Sequence, residues 1–202
     1  MWSSNTRLCT AVLHTLWPTQ MTVGMRGVAH KRQAWREAAD KDAFLNSHVI
    51  PVVAGPDQQF FAIDHHHTAR ALLDEGVEQA KAAIVADLAE LPERIFWNFL
   101  DQRAWCRPYN AQGERCAIED MPTSLAGLQD DPYRSLVADV HKQGGFAKDE
   151  TPFSEFLWAD FYRLRLAPEL LQTQFDAAVQ QGLVLARTRD AQYLPGWCAP
   201  TS

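Results

Sequence analysis

Asp64-His65-His66-His67 is the densest run of chemistry-bearing side chains in the sequence. It lies between an apolar stretch, Phe60-Phe61-Ala62-Ile63, and a helix-forming one, Thr68-Ala69-Arg70-Ala71-Leu72-Leu73. A strand running straight into a helix presents first-turn N–H groups at the positive end of the helix dipole, a setting that favours phosphate and other anions. Imidazole placed there can give or take a proton or bind a metal. His66 and His67 are therefore the candidate catalytic bases or metal ligands, and Asp64 the candidate metal ligand or orienting carboxylate. His65 and Thr68 border the same junction as candidate ligand contacts. Asp64 also reads as a helix N-cap, accepting N–H bonds from near His66 and His67 for about 1 kcal/mol. The three histidines then take the first three helical positions, about 100° apart in projection, so they cannot all face one cleft. The dipole disfavours a cationic ring there, which predicts neutral histidines near pH 7 unless an anion is bound.

The elements that must hold this junction read as a small sheet with helices. Residues 11–16 alternate loosely and stop at Pro18, as an early strand would. Thr19 and Gln20 follow it with a hydroxyl and an amide suited to a ligand, or to hydrogen bonds with their own backbone. Helical spacing of Val28, Lys31, Trp35 and Ala38 predicts a helix over about 24–39, with Lys31 a candidate phosphate contact on it. Residues 42–48 add a further turn. Residues 49–53 and 59–63 flank the turn signature Gly55-Pro56-Asp57 and predict a hairpin. The histidine helix ends near Gly76, with Ala69, Leu72 and Leu73 on its apolar face. A buried strand over 81–88 and a helix over 93–104, with Ile95, Phe96, Phe99 and Leu100 on one side, come next. The last third is mainly helical, over 133–142, 152–166 and 168–182. Asp131 caps the first of these helices and Pro132 opens it. Arg134 there is a candidate ligand contact, or the ion-pair partner of Glu155 or Asp160. Glu155, Trp158, Phe161 and Tyr162 share a face that reads as core.

The bulk numbers restrict the function classes. The chain has 202 residues, 47% hydrophobic and 22% charged, the composition of an ordinary globular protein. A formal net charge of -6 argues against duplex DNA as a partner. Cys9, Cys106, Cys116 and Cys198 form no C-x-x-C pair, which argues for reduced thiols and against a zinc knuckle. Residues 8–16 are too short and too polar for a signal peptide or membrane span, so a soluble, cytoplasmic protein with no membrane partner is expected.

In order along the chain, Trp17-Pro18-Thr19-Gln20, the hairpin over 49–63 and Asp64-His65-His66-His67-Thr68 resemble the ParB/sulfiredoxin superfamily. Asp131-Pro132-Tyr133-Arg134-Ser135 and Glu155-Phe156-Leu157-Trp158-Ala159-Asp160-Phe161 extend the likeness to the bacterial ParB-like nuclease subgroup, over about residues 12–165. The resemblance implies an α+β fold. Residues 1–104 would form a ParB/sulfiredoxin-like core with a small mixed sheet, and residues 105–202 a mainly helical extension packed on it. It also implies a nucleotide or phosphate at the start of the histidine helix, because superfamily members bind CTP, transfer phosphate from ATP or act as nucleases. Two residues depart from the pattern: His65 stands in place of the usual Gly, and Thr68 in place of the usual phosphate-neutralising Arg. Arg70 lies about 200° around the helix from Thr68 and cannot simply substitute. Arg134 is the alternative source of charge. No cysteine stands in the signature, which argues against the sulfiredoxin reaction.

The expected function is the binding of a phosphate-bearing small molecule or nucleotide at the Asp64–His67 junction. A divalent metal or a nucleotide is the cofactor implied, with phosphodiester hydrolysis or phosphotransfer as the chemistry. A non-catalytic nucleotide-binding or partition-type module, and a small-metabolite binder on the same fold, remain open alternatives.

Overall fold

The computed structural model describes residues 6–199, and the α+β class expected from the sequence is what it shows. β1 (Arg7–Val12) is the early strand, but it ends before the alternating stretch does. Leu13–Thr15 instead closes a 3-10 turn, with the Thr15 hydroxyl donating to the Val12 carbonyl at 3.0 Å, and the chain extends again as β2 (Trp17–Pro18). β3 (Thr22–Val23) precedes α1 (Met25–Glu37) and α2 (Lys41–Ser47), the latter capped by Asp40, which accepts the Ala43 N–H at 2.9 Å. β4 (Ile50–Ala54) and β5 (Phe60–Ala62) form the expected antiparallel hairpin. Asp57 and Gln58 take left-handed backbone angles in its turn.

α3 (His66–Asp74) follows, then β6 (Gln79–Asp87) and α4 (Glu93–Gln102). The main sheet has the order β1-β6-β4-β5-β2 and is mixed: β4 runs parallel to β6, β2 parallel to β5, and β1 antiparallel to β6. Every residue of β4 is buried, as a strand flanked on both edges requires. Phe61, Phe96, Trp97 and Leu100 pack on one face of this sheet, with Phe61 and Phe96 centroids 4.6 Å apart. The face of α4 differs from the sequence reading. Phe96, Trp97 and Leu100 point inward, while Ile95 and Phe99 are 39% and 36% exposed. A two-stranded pairing of β3 with β7 (Gln129–Asp130) closes this region.

Contacts divide the chain after Asp130, and Gly24–Arg26 go with the second unit. That unit is helical: α5 (Pro132–Lys142), α6 (Ser154–Arg163), α7 (Pro168–Thr173) and α8 (Phe175–Ala186). The single helix read over 168–182 is two, because Gln174 leaves helical geometry at φ -142°, ψ 55°. Trp158, Phe161 and Tyr162 are fully buried, as expected of the aromatic face of α6. Their polar atoms are satisfied in place: the Trp158 indole N–H donates to the Pro195 carbonyl at 2.9 Å and the Tyr162 hydroxyl to the Gly182 carbonyl at 3.2 Å. Gly182 is needed where α8 meets α5, since a Cβ there would sit 2.8 Å from Val140 Cγ2. Among the described residues no helix is long and apolar enough to cross a membrane.

Candidate functional site

The junction between β5 and α3 is built differently from the sequence expectation at one residue. Asp64 does not cap α3; its Oδ1 accepts the N–H of His65, the next residue, at 2.6 Å. His65 is the capping residue, in left-handed geometry at φ 59°, ψ 27°, and its side chain accepts no helix N–H. The tight turn at His65 adds a residue before the helix, so His66 and His67, rather than His65 and His66, open it. Asp64 and His65 are exposed and His67 is half-buried.

The three imidazoles have separate environments. His66 is only 4% exposed, and its Nε2 accepts the backbone N–H of Thr19 at 3.2 Å. That bond assigns the neutral ring with its proton on Nδ1. Thr19, itself buried, also donates its hydroxyl to the Ala62 carbonyl at 2.9 Å. His66 is thus a brace between α3 and the end of β2, and the nitrogen it uses is not offered to a guest. His67 lies against α1 at Gly27, where an added Cβ would come 3.0 Å from its Cδ2. Lys31, half-buried, is four residues on from Gly27 and therefore on the same face of α1.

The remaining candidates fall into two groups. Gln20 is buried, and its amide donates to the Thr22 carbonyl at 2.8 Å, the local backbone bond that a turn would use. Thr68 is buried at 4% exposure on the inner side of α3. Arg70 pairs with Asp74 at 2.8 Å and donates to the carbonyls of Leu125, Ala126 and Leu128, fastening the 3-10 turn Leu125–Gly127 to α3. Arg134 belongs to the helical unit, where it pairs with Glu155 at 3.2 Å and stacks on the Phe156 ring at 4.0 Å. Among the described residues, no three His, Cys, Asp or Glu side chains gather as a metal site would require, so Asp64, His66 and His67 do not form the metal-binding set considered above.

Sequence reasoning missed two residues of this neighbourhood. Arg107 lies beside Thr19 and Gln20: its N–H donates to the Thr19 carbonyl at 2.7 Å, and its guanidinium stacks on Tyr109 at 3.8 Å. Nothing in its local sequence signals that position. Gly27 did carry a signal, because a glycine inside a helix costs about 1 kcal/mol relative to alanine and so marks a close approach. We expect Gly27→Ala to leave stability unchanged or raise it by up to about 1 kcal/mol, while pushing the His67 ring aside. Thermal unfolding and the imidazole NMR resonances of His67 in the same variant check both halves.

With this geometry in view, the comparisons place the chain. The family model described as "Putative ParB-like nuclease" matches residues 9–164. The chain belongs to that family. Among solved structures, protein Atu1540 from Agrobacterium tumefaciens is 43% identical and superposes with a TM-score of 0.92, over 98% of this chain and all of that one. The C-terminally truncated chromosome-partitioning ParB from Caulobacter crescentus, complexed with CTP-gamma-S, aligns at 11% identity and a TM-score of 0.34, over 87% of this chain and 92% of that one. No curated protein matches the chain. The ParB-like nuclease match includes β2, the hairpin, the histidine junction and α5, and it ends just past α6.

Proposed function

We propose that the protein binds a phosphate-bearing ligand at the amino end of α3 and acts on its phosphate ester or anhydride. The observation that supports this reading is the turn at His65. It brings Asp64 and His65 to the surface at the positive end of the α3 dipole, where an anionic oxygen is favoured. His67, at the second helical position, is the general acid or base in this scheme. Lys31, on the face of α1 that carries Gly27, is its source of positive charge. His66, Thr19 and Gln20 fix the backbone around the ligand. Membership of the ParB-like nuclease family supports phosphodiester cleavage as the first activity to test, with nucleotide-dependent phosphotransfer as the second.

The test incubates the protein with a single-stranded oligonucleotide and with nucleoside triphosphates, each with and without Mg²⁺ or Mn²⁺. Shortened fragments would support hydrolysis, and triphosphate turnover would support transfer. Absence of both binding and turnover for every substrate would overturn the proposal. Asp64 separates a bare anion from a metal-carried one. Its exposed carboxylate repels a bare phosphate, so Asp64→Asn should tighten metal-free binding by about threefold, as loss of an exposed like charge predicts. Weaker binding in that variant, seen only when a divalent cation is present, would instead assign Asp64 to a ligand-bridged metal. Calorimetry at fixed ionic strength distinguishes the two.

A further inference from the structure

A cleft of about 550 Å³ opens in the sheet-containing unit and shares no lining residue with the histidine junction. Trp17, Trp97 and Met121 line its inner part. Trp97 and Met121 are buried, and Trp17 is half-buried. Phe61 holds both indoles edge-on, with centroids 5.6 Å from Trp17 and 5.4 Å from Trp97, so the aromatic wall is set by the core rather than by loop motion. The rim is charged and exposed. Glu93 and Arg94 come from the first turn of α4, and Glu119 from the 3-10 turn Ile118–Asp120. Two carboxylates and one guanidinium therefore stand on the rim of a cleft whose inner part carries two indoles.

That combination selects by charge. A phosphate or carboxylate guest would meet a net negative rim. A neutral apolar guest would gain the indoles but nothing from the carboxylates. A cation gains both, since an indole attracts positive charge to its π face and the carboxylates neutralise it. We propose that this cleft binds a small organic cation, with an ammonium or guanidinium group seated against Trp17 and Trp97 and balanced by Glu93 and Glu119. This inference does not rest on the reading of the α3 junction.

The probes are choline, its neutral isostere 3,3-dimethylbutan-1-ol, agmatine, and the blocked peptide acetyl-Gly-Arg-Gly-amide, each titrated calorimetrically into the full chain. Saturable binding of choline or agmatine, with the isostere at least about tenfold weaker, supports a free amine; the same preference for the peptide supports a cation delivered on a side chain. The double variant Glu93→Gln/Glu119→Gln changes only exposed groups and should weaken cation binding by about tenfold or more, whereas Arg94→Gln should tighten it. Circular dichroism confirms that both variants fold. The proposal is overturned if no cation saturates, if the isostere binds as well as choline, or if the double variant binds the cation unchanged.

Discussion

Arg163→Ala should cost about 3 kcal/mol of stability at pH 8, because it strips a buried carboxylate of its ion-pair partner. Asp131 is 1% exposed, caps α5 by accepting the Tyr133 N–H at 3.0 Å, and takes an Arg163 N–H at 2.7 Å. Arg163 also bonds Asp160 and sits over the Tyr133 ring, 5.0 Å from its centroid. Burial pushes the Asp131 carboxyl above its ordinary range, and the nearby Arg163 and Arg134 only partly oppose this. The folded state therefore holds the Asp131 proton more tightly than the unfolded chain does, and in that interval stability falls as pH rises. Removing Arg163 removes an opposing charge and widens the interval. The deficit of Arg163→Ala should accordingly shrink between pH 8 and pH 5, as Asp131 protonates and sheds the unpaired charge. Urea denaturation at the two pH values measures it. A loss below about 1 kcal/mol at pH 8 would mean that the ion pair is replaceable by water, against its burial.

The second large effect concerns ligand binding rather than stability. His67→Ala and Lys31→Ala should each weaken binding of a phosphate-bearing ligand by about tenfold or more, equivalent to about 1.4 kcal/mol, with little change in unfolding. Neither side chain is fully buried, so truncating either opens no sealed cavity. His66→Ala should behave the opposite way. It removes a buried ring that holds the Thr19 N–H, and should cost about 2 kcal/mol, although Thr19 N–H keeps a 3.2 Å bond to the Ala62 carbonyl. Comparing affinity and unfolding across the three variants separates the residue that braces the junction from those that face the ligand. If His66→Ala abolished binding without loss of stability, the roles given to the two histidines would be reversed.

Much of this scaffold is readable in the sequence, for physical reasons that differ by element. The hairpin is announced by the β-branched run before Gly55-Pro56-Asp57 and the Phe60-Phe61 pair after it, and the start of α5 by Asp131 and Pro132, whose cap geometry is local. The failures come where tertiary context outweighs local pattern. α4 buries Phe96 and Trp97, adjacent in sequence, because both meet Phe61, and no periodicity rule selects that pair over Ile95 and Phe99. Asp64 has the composition of a cap, yet a one-residue left-handed turn at His65 diverts it to its neighbour's N–H. At the site, the run of histidines locates the junction but gives no hint of which ring is enclosed. His66 is enclosed because Thr19, 47 residues earlier, brings a backbone N–H to it. Arg107 likewise reaches the neighbourhood through its backbone pairing with Thr19 and Gln20.

The binding reading is tested most directly by following the backbone amides of ¹⁵N-labelled protein while inorganic phosphate, and then a nucleoside triphosphate, is added. Anion capture at the amino end of α3 predicts saturable shifts centred on the amides of His66, His67 and Thr68, lost in His67→Ala. Shifts that leave those amides still while others move, or no shifts at all, would contradict it.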